Sequence, residues 1–290
     1  MKSKIKWFDV ANYTFLTLFS LFCFLPILLV LIVSITDEGS IAKHGYSLFP
    51  EKFSLEAYRL AFDGNGQLLN SYFISILVTV VGTVLAVIIT GMAAFTLANR
   101  QVKYRNQLSL FFFITMVFNT GLVPWYLVSH SLGLTNNLFA LIIPSLIFNP
   151  FNLFLVRNFM NGIPEALMES AKIDGAGEFL IAFRIYFPLS VPVLATVALF
   201  YGLAYWNNWF NAIMLVDKEN LYPLQYLLFK LNSELNMLNQ MTGMYGGTTK
   251  PPTESFKMAI AIITIGPIVF LYPFLQRFFI KGLIVGSVKG

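Results

Sequence analysis

From Ala11 to Ile35 the chain runs 25 residues without a charged side chain, and from Asn70 to Asn99 it runs 30. A helix rises ~1.5 Å per residue and the hydrocarbon core of a bilayer is ~30 Å thick, so about 20 such residues cross it. No soluble fold has a use for two charge-free segments of that length. Four more runs of the same kind lie at about 108–128, 138–156, 192–216 and 258–275. With spans one and two at about 11–35 and 70–99, the pattern predicts an all-α polytopic membrane protein with six transmembrane helices. The composition agrees: 57% apolar and 11% charged residues, with a mean hydropathy of +0.71.

The first run follows Lys2, Lys4 and Lys6 and so looks like a signal peptide. It is longer than an ordinary signal core and lacks an A-x-A-like cleavage site, so it reads as a retained span, with a kink expected at Pro26. Span two carries Gly82, Thr83, Ala86, Thr90, Gly91, Ala93 and Ala94, small residues that let helices approach closely. Residues 36–69 are polar, and Ser54 is expected to cap a short helix after Phe53. Residues 217–257 read as a second long polar connector ending in a glycine-rich tip.

Six spans put both termini on one side. Lys2, Lys4, Lys6, Arg100, Lys103, Arg105, Arg157, Lys172, Arg184, Arg277, Lys281 and Lys289 fall on that side and make up twelve of the 19 Lys and Arg. Basic loops stay in the cytoplasm, so the expected topology is N-in and C-in, with external loops 36–69 and 217–257.

The spans carry no Asp, Glu, Lys, Arg or His in their cores. A proton- or sodium-coupled carrier keeps such groups near the midplane. The chain also has no G-x-x-x-x-G-K-[ST] phosphate loop, so ATP, if used, is hydrolysed on another chain. Cys23 stands alone and reads as a packing residue. His44 and His130 have no metal-ligand spacing, and no metal site is expected. A net charge of +5 spread over loops suggests membrane lipid and not nucleic acid as a partner.

One stretch breaks the apolar pattern: Glu165 to Pro192, EALMESAKIDGAGEFLIAFRIYFPLSVP. Pro164 suits a helix start, and Glu165 and Glu169 favour the positive end of the helix dipole. Ala166, Ser170 and Ala171 make a thin face, and Gly175 is the expected stop. Phe179, Ala182, Phe183, Tyr186 and Phe187 then follow at the spacing of an amphipathic helix. From the residues alone, an ordinary surface helix between two spans remains an equal reading.

Glu169-x-Ala171-x-x-Asp174-Gly175-Ala176, followed by Ile185-x-x-Pro188 and Pro192, resembles the EAA signature of permease subunits in binding-protein-dependent ABC importers. The whole chain is similar to their carbohydrate branch, the MalG-type and LplC-type permeases. One departure is Ser170, where that family usually has alanine. The resemblance implies the ABC type I importer permease fold in a bacterial cytoplasmic (inner) membrane. It makes 157–191 the cytoplasmic coupling loop, whose Glu165, Glu169, Ser170, Ala171, Asp174, Gly175 and Ala176 engage an ATPase. It implies a second permease subunit, two ATPase subunits and an extracytoplasmic solute-binding protein as partners. ATP and Mg would be bound by the ATPases and no cofactor by this chain, which would not itself be an enzyme. The cargo implied is an oligosaccharide, alginate-derived ones included. The competing class is an ATP-independent channel or facilitator for small polar solutes, which would work as an oligomer without ATPases.

Amides pair with sugar hydroxyls as donors and acceptors, and aromatic faces stack on sugar rings. Asn119, Asn149, Asn152, Tyr205, Trp206, Asn207, Asn208 and Trp209 are therefore the candidate translocation path. Interfacial anchoring and helix–helix bonding explain the same residue types. Tyr245, Gly246 and Gly247 are the candidate contact with the binding protein. The resemblance lets the tail Lys281–Gly290 reach the ATPase pair, and membrane anchoring accounts for its charges equally well.

Overall fold

The computed structural model describes residues 7–63, 66–118, 120–144, 146–245, 254–267 and 269. In chain order the helices are α1 (Trp7–Ser34), α2 (Glu38–His44), α3 (Glu56–Phe62), α4 (Gln67–Ala98), α5 (Arg105–Val117), α6 (Leu122–Ser131), α7 (Leu138–Ile142), α8 (Pro150–Met160), α9 (Glu165–Ile173) and α10 (Glu178–Ile181). A π-helical turn, Ala182–Tyr186, leads into α11 (Phe187–Leu189), α12 (Val191–Trp206), α13 (Phe210–Leu215) and α14 (Leu224–Tyr245). Residues 254–267 form α15. Among the described residues there is no strand, only an isolated antiparallel bridge between Thr36 and Phe53.

Two helices are long and apolar enough to cross a membrane, the Val10–Ser34 part of α1 and the 32-residue α4. Two bent pairs pass the same test together: α5 with α6, bent by 117°, and Glu178–Leu189 with α12, bent by 85°. The run at 108–128 is thus two helices. Gly121, at φ +81°, turns the chain between them, and position 119 lies outside the described residues. The run at 138–156 is also divided. Pro144 and Asn149-Pro150 disfavour helix, and α8 starts afresh with the Asn149 side chain accepting from Phe151 N. The run at 192–216 ends its long helix at Trp206. For the run at 258–275, helix begins already at 254, and 268 and 270–275 lie outside the described residues.

The connector expected at 217–257 is largely the 22-residue α14. Its polar residues masked an apolar stripe, Leu224, Leu227, Leu228, Leu231 and Leu235, of which the first three are buried. Cys23, read as a packing residue, is exposed. It sits on α1, whose most apolar window is only 6% buried within the chain, so its grease is left for lipid or another subunit. α1 continues through Pro26 without ending.

The packing divides into two compact units, residues 1–68 with 230–268 and residues 69–229 with 269–290. In the first, the loop after α1 is pinned by Asp37 N to Lys52 O and Ser54 N to Ile35 O. Ser54 sits just outside α3, and its hydroxyl accepts from Glu56 N. The Glu38 carboxylate caps α15, accepting from Glu254 N, Ser255 N and Ser255 Oγ at 3.1, 3.0 and 2.7 Å. Tyr46 donates to Glu254, and this bond, with burial and the nearby acids, pushes its pKa up to about 12.

The second unit has a core of buried apolar side chains from α4, α7, α8, α9, α12 and α13, among them Ala86, Leu141, Leu153, Met168 and Val197. α4 meets α11 and α12 closely. A Cβ on Gly82 would lie 2.5 Å from the Tyr205 ring, and one on Gly91 would lie 2.6 Å from the Phe187 ring. The small residues of α4 are what admit these rings.

Candidate functional site

α9 begins after Pro164, its N-cap residue, with Glu165 in the first turn. Its end is built from two bonds, Gly175 N to Lys172 O at 3.0 Å and Ala176 N to Ala171 O at 2.9 Å. That paired closure is the Schellman arrangement and requires a left-handed residue at its centre. Gly175 supplies it at φ +81°.

The short helix rests on one side chain. Met168 is 1% exposed and sits in the core, with Ala171 and Ala176 packed against that core. Of the face expected from Ala166, Ser170 and Ala171, the first two are exposed and the third is half-buried. Glu169 and Asp174 are also exposed. Sequence reasoning did not single out Ile173, which is 87% exposed, or Leu167, also exposed. Both put apolar surface on the exposed part of a helix that also carries Glu165, Glu169 and Lys172. The signal for Ile173 was an apolar residue on the side opposite Met168.

After Gly177 the chain does not form the regular amphipathic helix expected from the phenylalanines. The π-helical turn inserts an extra residue and rotates the pattern. Ile181, Ala182 and Tyr186 are buried, whereas Phe179 and Phe183 are exposed. Tyr186 packs edge-on against Phe95 of α4, ring centroids 4.9 Å apart.

Polar ties hold α9 to the turn that follows α4. Arg100 lies 3.6 Å from Glu165. Lys172 Nζ donates to Gln101 Oε1 at 2.6 Å and lies 2.7 Å from Glu178. Lys172 and Gln101 were not among the sequence candidates.

The amide and aromatic candidates separate into two sets. One set satisfies the backbone where the chain breaks between α7 and α8. Tyr205 Oη donates to Ile142 O at 2.9 Å, and Asn211 Nδ2 to Pro144 O at 2.9 Å. Asn149 N donates to Tyr201 Oη at 2.9 Å, and that hydroxyl also shares a bond with Thr90 Oγ1 at 2.7 Å. In an apolar medium a broken helix needs such partners. Asn152 and Trp206 are buried. Of the others, Asn207 is exposed and accepts from Gln225. Asn208 Nδ2 is buried without a hydrogen-bond partner. Trp209 is 40% exposed and stacks on Phe229, centroids 5.0 Å apart.

A cavity of about 800 Å³ opens at the bend between α5 and α6, lined in part by Thr115, Thr120, Trp125 and Phe210. Trp125 is another residue the sequence did not single out. Asn119, at that bend, lies outside the described residues. Tyr245 ends α14, and Gly246, Gly247 and the tail Lys281–Gly290 lie outside the described residues. Among the described residues no group of His, Cys, Asp or Glu is placed to hold a metal.

A family model for the inner membrane component of binding-protein-dependent transport systems matches residues 84–285, across the α4–α12 seam and the whole of α9. The chain belongs to that family. Protein LplC of Bacillus subtilis (strain 168) is 41% identical over 286 residues, covering 98% of this chain and 95% of that protein. The polygalacturonan/rhamnogalacturonan transport system permease protein YtcP of the same organism is 37% identical over 290 residues, with all of both chains covered. Among solved structures, the crystal structure of a bacterial ABC transporter involved in the import of the acidic polysaccharide alginate contains a chain that superposes with a TM-score of 0.82 at 30% identity. That match covers 94% of this permease and 96% of the other chain. The permease is therefore a helical inner-membrane subunit of the sugar-importing ABC transporters, with the type I importer fold. The family is one of membrane transport subunits.

Proposed function

We propose that this permease forms half of an ATP-driven pore for acidic oligosaccharides, pairing with a second permease subunit. Two ATPase subunits bind ATP and Mg, and an extracytoplasmic binding protein delivers the cargo. Six spans, N-in and C-in, put α9 on the cytoplasmic face. The observation that carries this reading is α9 itself, a polar helix fixed to the core by Met168 and presenting Leu167 and the 87%-exposed Ile173 outward. Such a knuckle has a purpose only if another chain closes over it.

The mechanism is alternating access. Closure of the ATPase pair moves α9, and the spans attached to it swing so that the cavity side opens outward. The acidic nature of the cargo is supported by the two relatives whose names specify polygalacturonan/rhamnogalacturonan and alginate. The spans carry no arginine to meet a carboxylate, so neutral donors such as the exposed Asn207 and Trp209, the outer mouth and the second permease would face it.

The test is uptake of galacturonate and alginate oligosaccharides by proteoliposomes holding the full complex. Gly175→Asp puts a charged side chain at φ +81°, at a cost of about 1–2 kcal/mol, where α9 must end and dock. Membrane levels are expected to hold while transport separates from ATP hydrolysis. Uptake at the wild-type rate in that variant would remove α9 from the mechanism.

A further inference from the structure

Lys172 lies in the last turn of α9, one turn beyond the buried Met168. We propose that Lys172 is a positioning residue that locks α9 to the end of α4, so that any movement of α9 is delivered to that helix. This rests on the reading of α9 as the ATPase-docking helix.

Two neighbouring residues, Arg100 and Gln101, grip α9 at both ends. Arg100 meets Glu165, its first residue, at 3.6 Å. Gln101 meets Lys172, in its last turn, at 2.6 Å. Seven residues of helix, roughly 10 Å, separate the two grips, which fixes the direction of the α9 axis and not merely its position. The gripping turn is itself stiff. The buried Asn99 accepts from Gln101 N at 2.9 Å, and Asn99 N closes on Phe95 O in the last turn of α4. A force on α9 therefore arrives at the end of a 32-residue helix.

Lys172 does a second thing. Its ammonium has three donors, and another reaches Glu178 Oε1 at 2.7 Å. Glu178 opens α10, beyond a turn that contains Gly175 and Gly177. The backbone bonds that close α9 hold that turn, and the bridge adds a side-chain tie across it from α9 to α10. The two bonds of one side chain thus join three elements: the α4 end, α9 and α10. Exposed ion pairs contribute little to stability. The contact is better explained as geometry than as glue.

The complex with both permeases, ATPases and binding protein, reconstituted in proteoliposomes, gives the test. Lys172→Met is expected to keep wild-type membrane levels and basal ATP hydrolysis while oligosaccharide transported per ATP falls about five-fold or more. Trigalacturonate and an alginate trisaccharide are the probes. Gln101→Leu loses part of the coupling, Lys172→Arg keeps most of it, and the swap of Lys172→Glu with Glu178→Lys transports better than Lys172→Glu alone. A role that is merely structural predicts no such rescue. A readout independent of cargo is the distance between spin labels at Thr96 of α4 and Ala166 of α9, both exposed, in the same complex. It is expected to be narrow in wild type and broadened by Lys172→Met. Wild-type coupling in Lys172→Met, an unchanged distance distribution, or a swap no better than the single variant each overturns the proposal. Gly175→Asp runs beside them. If it uncouples and Lys172→Met does not, only the lock fails. If neither does, the docking reading fails with it.

Discussion

The seam of α4 against α12 and the grip of α4's end on α9 act on one helix by opposite means. Along the seam, glycines let aromatic rings sit against backbone, Gly82 under Tyr205 and Gly91 under Phe187, and hydroxyls of Tyr201 and Tyr205 close bonds that no water can replace. At the grip, long side chains meet in half-exposed pairs, with Lys172 and Glu178 at 30% and 51% side-chain exposure. Lipid offers no hydrophobic drive between helices, so the seam depends on close fit and internal hydrogen bonds. Water competes for every bond at the grip, so its contacts add little to stability and act by fixing the direction of α9. A transporter needs both: a rigid lever, and a joint that can be pushed.

The sharpest way to break this contrast is Gly82→Leu. The Tyr205 ring already occupies the space of a Cβ, and overpacking costs about 1–3 kcal/mol or more. The expected result is loss of folded permease from the membrane, read by detergent-solubilised yield and thermal aggregation. Normal accumulation would mean that the seam is loose. Tyr205→Phe comes next. It leaves Ile142 O without its partner and is expected to lower stability by about 1 kcal/mol, measured as a shift in the midpoint of thermal unfolding of the assembled complex. Lys172→Met is expected to change that midpoint by less than about 0.5 kcal/mol while uncoupling transport, which is the reverse of the seam variants. Equal destabilisation by the two would erase the distinction between lever and joint.

The smallest effect concerns the other compact unit. There Tyr46 donates to Glu254 next to the Glu38 cap of α15. Its phenol is raised from 10.0 to about 12, so the contribution of this contact is complete below pH about 10 and is lost as pH rises through about 12. Tyr46→Phe is expected to cost about 0.5–1.5 kcal/mol near neutral pH and to remove part of the alkaline sensitivity. An unaltered pH profile in the variant would show that the bond adds nothing there.

The motif at Glu165–Ala176 was legible because it is local. Pro164, the first-turn acids and Gly175 all act within one or two turns, and α9 starts and stops where they direct. The path candidates were legible only as a residue type. Asn149 and Tyr205 looked like sugar ligands, and the structure engages them on broken backbone. Nothing near Tyr205 in sequence says that Ile142, 63 residues away, has a carbonyl in need.

By itself, the sequence determined that the chain is helical and membrane-bound, that no span carries an ionisable core group, and that one polar helix stands apart from the rest. Charge-free length and helical periodicity are enough for that, because both operate over neighbouring residues. Only the tertiary structure decided where the apolar runs break, which amides are already engaged, and that Lys172 reaches Gln101 across 71 residues. Such partners are chosen by packing between distant segments, and local preference carries no record of them.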